Sequence, residues 1–318
     1  MYETNKVIAI IGPTASGKSD LAVSIARAID KESSDYGLSG CEIISADSRQ
    51  VYKELNVYSN KITAKEMCDI PHHLIDVASI HGSFSVAEYQ DRARSCITEL
   101  HKQNILPIIC GGTGYYIDAA LYETPLPEVP PEPKLREKLS RHSTQTLFEM
   151  LRERDPDRAR TIDRHNPHRL IRALEIVLVS GKPVPQIHER KPLYDTLVIG
   201  IGTSREKLIE KIEERLSFII DDESAIEEVR KLHEEQHVPW ERFTELGMGY
   251  RHIAEYLQGH YDKETLKENI RRSEVAYVKR QLTWFNRDRS ISWIDDPQKA
   301  IAAARDFLSR EAPASPDQ

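Results

Sequence analysis

Short unbroken apolar runs take turns along the chain with stretches in which apolar side chains return every three or four residues. Lys6 to Ile11 is the first run. Glu42-Ile43-Ile44-Ser45-Ala46 is the second and ends at Asp47, and Ile105 to Cys110 is the third and ends at Gly111-Gly112-Thr113-Gly114. Runs this short, bounded by turn residues, predict buried strands. Between the second and third, Ser85 to Lys102 puts Val86, Ala93, Ile97 and Leu100 near one helical face, with Ser85 placed to cap and Glu88 three residues on. Strands alternating with helices predict an α/β fold in which a parallel sheet is covered on both faces. Ligands of such sheets sit beyond the carboxyl ends of the strands, which gathers the segment after Ile11, Asp47 and Thr113 at one rim.

The pattern changes at Thr124-Pro125-Leu126-Pro127-Glu128-Val129-Pro130-Pro131-Glu132-Pro133, where five prolines exclude a continuing helix and predict a stiff linker. Lys134 to Ser180 is polar, Arg-rich and helical in period, with breaks at Asn166-Pro167 and Gly181-Lys182-Pro183. Strand pattern returns at Thr196 to Ile201 and at Ser290 to Ile294, and Arg205 to Leu232 and Lys263 to Phe285 predict long amphipathic helices. The expected organisation is a core of residues 1–123 and 194–318 interrupted by an all-helical insertion, 124–193. Ala312 to Gln318 is expected to be disordered, and no internal repeat is evident.

Chemistry enters at Gly12-Pro13-Thr14-Ala15-Ser16-Gly17-Lys18-Ser19, a complete G-x-x-x-x-G-K-S/T phosphate loop between a strand pattern and a helix pattern. It makes the fold P-loop NTPase-like. Such a loop turns backbone N–H groups toward an anion at a helix N-terminus. Lys18 would hold a terminal phosphate and the Ser19 hydroxyl a Mg²⁺ ion. The loop alone makes an ATP- or GTP-dependent enzyme the default, a small-molecule kinase for instance. No run of four apolar residues ending in Asp, as a nucleotide-hydrolysing motor would show, stands at the third strand. Asp47 arrives at the rim where a carboxylate can serve as a base or can cap the following turn. Gly111 to Gly114 allows close backbone approach and offers the Thr113 hydroxyl.

Composition narrows the class. Hydrophobic residues make up 39% of the chain and no apolar run approaches the roughly 20 residues of a membrane span, so a soluble chain without membrane partners is expected. Met1 to Lys6 leads straight into the first strand, leaving no room for a signal peptide, and the expected location is the cytoplasm. Cys41, Cys68, Cys96 and Cys110 are scattered, which disfavours a zinc site or a disulfide framework. His72 and His73 are adjacent on an extended segment and point to opposite faces, a poor fit to one shared metal. The net charge of −7 conceals two locally basic stretches, Arg152 to Arg172 and Lys267 to Arg289. Either can be a phosphate-binding face or a solvated helix face.

Eight motifs in order carry a resemblance across Lys6 to Trp293. They are Gly12 to Ser19, Ser45-Ala46-Asp47-Ser48-Arg49-Gln50-Val51-Tyr52, Pro71-His72-His73-Leu74-Ile75-Asp76, Phe84-Ser85-Val86-Ala87, Gly111-Gly112-Thr113-Gly114-Tyr115-Tyr116, Asn166 to Glu175, Gly249-Tyr250-Arg251, and Lys279 to Phe285. Together they resemble the tRNA dimethylallyltransferases, also called tRNA isopentenyltransferases. The resemblance implies a monomer that binds dimethylallyl diphosphate with Mg²⁺ and a tRNA anticodon stem-loop. It further implies transfer of the prenyl group to the N6 amine of the adenosine 3′ of the anticodon. By motif match, Gly12, Pro13, Thr14, Ala15, Ser16, Gly17, Lys18 and Ser19 bind the diphosphate, with Lys18, Asp47 and Thr113 in catalysis. The tRNA contacts so implied are Asp47, Ser48, Arg49, Gln50, Thr113, Arg136, His168, Arg169, Leu170, Ile171, Arg172, Gly249, Tyr250, Arg251, Lys279, Arg280 and Gln281. Trp284 and Phe285 could stack on bases or pack in the core, the latter being favoured. The chain departs from the pattern at Asn56 to Thr63, which is similar to the eukaryotic-type version, and at Leu246, where bacterial relatives often carry Arg or Gln. The C-terminal zinc finger of eukaryotic members is not expected from these motifs. Rival readings are an adenylate isopentenyltransferase, a small-molecule kinase, and a tRNA-binding module with a degenerate nucleotide site. The basic insertion favours tRNA over a free nucleotide, and intact Lys18, Ser19 and Asp47 favour an enzyme.

Overall fold

A computed structural model describes residues 5–127, 129–185 and 190–310. The expectations for Met1 to Thr4 and for Ala312 to Gln318 lie outside the described residues. In chain order the elements are β1 (Lys6–Ile11), α1 (Lys18–Asp30), β2 (Gly40–Ser45), α2 (Ala64–Met67), β3 (His72–His73), α3 (Val86–Lys102), β4 (Ile105–Gly111) and α4 (Gly114–Leu121). Then come α5 (Pro133–Ser140), α6 (Thr144–Arg154), α7 (Pro156–Thr161) and α8 (Pro167–Ser180). The rest is β5 (Asp195–Ile201), α9 (Arg205–Asp221), α10 (Ser224–Glu234), α11 (Trp240–Leu246), α12 (Met248–Leu257), α13 (Lys263–Phe285), β6 (Ser292–Ile294) and α14 (Pro297–Ser309). The chain divides into two compact units, one running to Tyr122 and resuming at Pro192, the other Glu123–Lys191.

In the first unit the strands form one sheet in the order β3-β2-β4-β1-β5-β6, every pair parallel. All six residues of β1 are buried, because helices cover both faces of the sheet at its centre. Alternation along the strand divides them between two cores. Val7, Ala9 and Ile11 join the core built by α3, α4 and α9 to α13, and Ile8 and Ile10 join the core beneath α1 and α14. Parallel strands place all the strand C-termini on one rim, so the loops after β1, β2 and β4 converge there. Ser85 caps α3 as expected, accepting the Glu88 N–H at 3.1 Å.

One predicted helix is broken. Arg205 to Leu232 divides into α9 and α10 at Asp222-Glu223. Asp221, Asp222 and Glu223 crowd negative charge at a helix C-terminus, where the dipole disfavours it. Asp222 Oδ1 instead accepts the Ser224 N–H at 3.0 Å, and Glu223 turns the chain at φ 64°.

The second unit has its own core of Leu139, Leu147, Leu151, Ala159, Ile162, Leu170, Ala173, Leu174 and Val177. Pro133, Pro156 and Pro167 each stand at a helix start, where the missing N–H costs nothing. The chain leaves and rejoins the first unit through paired residues. Tyr122 bridges Pro192 in antiparallel fashion and the Leu193 N–H donates to Leu121 O at 2.9 Å.

Candidate active site

The loop between β1 and α1 is shaped by two left-handed residues, Ala15 at φ 60° and Gly17 at φ 87°. Gly17 opens α1 without any side-chain cap, so the first N–H groups of that helix have no capping side chain. Ser16 N–H closes the turn on Pro13 O at 3.3 Å, while its hydroxyl is buried with no hydrogen-bond partner among the described residues. Lys18 Nζ lies 3.2 Å from Pro13 O, reaching back over the loop. Gly12 and Pro13 are buried beneath it. Uncapped amides, an ammonium and an unpartnered hydroxyl together suit an anion rich in oxygen.

Cys110, the penultimate residue of β4, links this loop to the carboxylate of the next strand. Burial pushes its thiol up to about 11, Lys18 and a hydrogen bond with Ser19 oppose the shift, and Asp47 and Asp20 add to it. The Cys110 Sγ donates to Lys18 O at 3.6 Å, and its raised pKa makes it inert as a nucleophile at neutral pH.

Asp47 is half-buried just past β2. Its Oδ1 accepts the N–H of Arg49 at 2.8 Å and of Gln50 at 3.4 Å, so the capping role is real. Oδ2 has no hydrogen-bond donor among the described residues. The Thr113 hydroxyl accepts the Ser48 N–H at 3.1 Å, and Thr113 N–H donates to Ala46 O at 3.1 Å, locking the β4 turn to the Asp47 turn. Gly111 makes that approach possible, since a Cβ there would stand 2.2 Å from Ala46 O. Tyr277 of α13 is half-buried near Thr113. Burial pushes its phenol up to about 12, with nearby Asp47 adding to the shift.

Several motif residues serve the protein's own packing. Gln281 is buried, not at the surface, and Gly249 and Tyr250 are buried against Tyr58. Gly249 N–H donates to Tyr58 Oη at 3.1 Å, and Tyr58 donates to the buried Glu274 carboxylate, which also pairs with Arg215 at 3.1 Å. Arg49 is tied down by Leu246 O at 2.6 Å and Ser48 O at 3.0 Å, so Leu246 contributes its backbone here and keeps its side chain in the core. Gln50 Nε2 donates to Asn60 O at 3.2 Å. Phe285 is buried, whereas Trp284 is half-buried, edge-on to Tyr115 and under Arg287. Lys279, Arg280 and Arg251 are exposed, and Arg251 Nε lies 3.7 Å from Glu255.

Within the second unit, the buried Glu175 carboxylate gathers Arg136 at 2.7 Å, Arg172 at 2.5 Å and the Glu132 N–H at 2.7 Å. Burial alone would raise its pKa, but these donors outweigh that and hold it at about 2. Arg172 also donates to Val129 O at 2.8 Å. Two of the arginines that the resemblance assigns to tRNA are therefore engaged by an internal acid. Leu170 is wholly buried and Ile171 half-buried, so neither offers a free side chain, whereas His168 and Arg169 are exposed and Arg169 has no ion pair among the described residues.

Sequence reasoning missed the Glu228 carboxylate, which accepts the N–H groups of Asn56 and Val57 at 2.7 Å each and braces the segment after Asp47. Nothing in the local pattern marks it. His72 Nδ1 lies 2.8 Å from Ile70 O and His73 Nε2 lies 2.5 Å from Glu42, so each imidazole has its own partner.

A family model described as IPP transferase matches residues 50–288. The chain belongs to the IPP transferase family. It is 37% identical over 303 residues to the tRNA dimethylallyltransferase of Natranaerobius thermophilus, covering 93% of this chain and 88% of that one. Against the tRNA dimethylallyltransferase of Halalkalibacterium halodurans it is 34% identical, covering 96% of each. Among solved structures, the full-length tRNA isopentenylpyrophosphate transferase of Bacillus halodurans superposes with a TM-score of 0.69 at 33% identity, covering 96% of both chains. A eukaryotic dimethylallyltransferase acting on tRNA shares the fold, with a TM-score of 0.78 at 23% identity, over 98% of this chain and 81% of that one. As an IPP transferase the chain is an enzyme of the prenyltransferase class, and these relatives do not favour a small-molecule kinase or an adenylate isopentenyltransferase.

Proposed function

We propose that this enzyme transfers a dimethylallyl group from dimethylallyl diphosphate to the N6 amine of the adenosine immediately 3′ of the anticodon, in tRNAs reading codons that begin with U. The observation that carries this reading is the hydrogen bond from Ser48 N–H to the Thr113 hydroxyl. It holds the turn that carries the half-buried Asp47 against the turn after β4, on the rim where the anion-binding loop also follows its strand. A kinase needs a loop of this kind, but a weakly nucleophilic amine also needs a proton acceptor.

In the reaction the allylic carbon–oxygen bond of the donor breaks and a bond from that carbon to N6 forms. The amine proton passes to Asp47 Oδ2, and diphosphate departs with the electron pair. Loop amides and Lys18 stabilise the charge that develops on the leaving group. Asp47 Oδ1 stays on the Arg49 N–H throughout, which keeps Oδ2 aimed at the substrate. The adenosine belongs to a single-stranded loop and can be turned out of its stack at modest cost. Exposed Arg169, Lys279, Arg280 and Arg251 supply phosphate contacts.

The donor set fits Mg²⁺. This ion keeps several waters and takes few protein oxygens beside substrate phosphates, and the loop offers the Ser19 hydroxyl with the unpartnered Ser16 hydroxyl nearby. Ser19 would hold it, and when bound it neutralises charge on the diphosphate. The enzyme acts as a monomer in the cytoplasm. Among the described residues no helix is long and apolar enough to cross a membrane.

The test is incubation with unmodified tRNA and either dimethylallyl diphosphate or ATP, followed by mass analysis of the anticodon loop. A gain of one C5H8 unit on the adenosine is expected with the prenyl donor alone. Consumption of ATP into a phosphorylated product, with the prenyl donor untouched, would overturn the reading.

A further inference from the structure

We infer that Gln281 is a positioning residue for the donor diphosphate, clamping the phosphate loop to the turn that carries Thr113, and is not a contact for RNA. This deepens the function proposed above and rests on it. Both ends of the side-chain amide are used. Oε1 accepts the Thr14 N–H at 3.0 Å and Nε2 donates to Gly112 O at 2.8 Å. A carboxamide presents an acceptor and a donor side by side, so it can bridge an N–H on one loop and a carbonyl on the other. The side chain is only 5% exposed, which leaves nothing for an external partner. Gly112 is bare for the same reason, since a Cβ there would stand 2.4 Å from Gln281 Nε2.

Helix geometry separates this residue from its basic neighbours. Tyr277, Gln281 and Trp284 are spaced i, i+4, i+7 and share one face of α13. That face meets Thr14 and Gly112 through Gln281, and Gly114 through Trp284, whose indole lies 2.3 Å from where a Gly114 Cβ would be. Lys279 and Arg280 are exposed. The run Lys279-Arg280-Gln281 therefore contains two outward cations and one inward clamp. Because the Thr14 N–H is spent on Gln281, the amides left for the diphosphate begin at Ala15. The clamp sets how far that cradle stands from Thr113 and Asp47.

The experiment compares wild type, Gln281→Leu and Gln281→Glu in three measurements: calorimetric binding of inorganic pyrophosphate, binding of an anticodon stem-loop, and prenyl-transfer kinetics. Wild-type transfer is the control for the reaction itself. If wild type transfers nothing, the proposed function fails, while pyrophosphate binding still reports on the clamp. Gln281→Leu is expected to weaken pyrophosphate binding and raise the donor KM about 10-fold, the cost of leaving a buried N–H unpaired. Stem-loop Kd should stay within about twofold of wild type. Gln281→Glu should show the same loss at neutral pH, where a carboxylate faces the Gly112 carbonyl. It should recover relative to wild type as pH falls and the introduced carboxyl gains a proton to donate. A weakened stem-loop with unchanged pyrophosphate binding would overturn the inference and return Gln281 to RNA. General weakening that follows a lowered Tm, without acid recovery of Gln281→Glu, would overturn it too.

Discussion

Replacing Glu175 by Gln tests how the helical insertion is held together. The substitution keeps the shape and one carbonyl oxygen but removes the charge that faces Arg136, Arg172 and the Glu132 N–H. The carboxyl is lowered from 4.5 to about 2 in the folded protein. A shift of that size, at ~1.4 kcal/mol per pH unit, corresponds to about 3 kcal/mol of folding free energy at neutral pH. The figure agrees with the ~3–5 kcal/mol seen when one partner of a buried ion pair is removed. Hydrogen exchange on the full chain isolates the effect, because it reports opening segment by segment. Amides of α5 and α8 in Glu175→Gln should exchange on the order of 100-fold faster at pH 7, while β1 and β4 stay protected. The sign with pH follows from a depressed acid. Its contribution is complete above 4.5 and fades as pH falls toward about 2. Wild-type α5 and α8 should therefore lose protection below pH 4.5, and the variant should lack that step. Exchange raised by less than about threefold at pH 7 would refute the reasoning, because the two arginines would then be stabilising little.

Other outcomes follow from the site. Asp47→Asn keeps an oxygen for the Arg49 N–H but cannot take a proton, so kcat should fall ~10²–10⁴-fold with pyrophosphate affinity nearly unchanged; near-normal turnover would remove Asp47 from the proton path. Gly111→Ala drives a methyl to 2.2 Å from Ala46 O, a backbone atom with nowhere to go, and thermal unfolding should show a loss of more than about 2 kcal/mol. Wild-type stability in that variant would mean that the β2 and β4 ends part easily. Arg169→Ala, which removes an exposed cation without an acidic partner among the described residues, should lower the slope of log Kd for tRNA against log salt by about 1. An unchanged slope would place phosphate contacts elsewhere.

What the chain discloses of itself in one dimension is what its neighbours in sequence decide. The run Lys6–Ile11 and the loop after it are legible because strand, turn and helix start follow one another directly, and the Ser85 cap because its partner is three residues away. The Gln281 clamp is not, since its partners are 267 and 169 residues distant. Arg136 and Arg172 read as cations awaiting phosphate because the acid that engages Arg136, Glu175, stands 39 residues from it and looks like one more charge on a polar helix. Gly249-Tyr250 reads as part of a contact motif, yet the absent side chain of Gly249 makes room for the Tyr58 ring, 191 residues away. The break at Asp222-Glu223 is visible in principle as three acids in a row, but apolar periodicity runs through it and masks the stop.

The pairing of Tyr122 with Pro192 means that the sheet's fold closes on itself before the insertion begins. To β1, β4 and β5, Glu123–Lys191 is equivalent to the tip of a hairpin, because loop-closure entropy grows only slowly with length once the two ends are pinned. A short turn could replace it without altering a single strand register. The pinned ends therefore insulate the strand registers from the length of the segment between them.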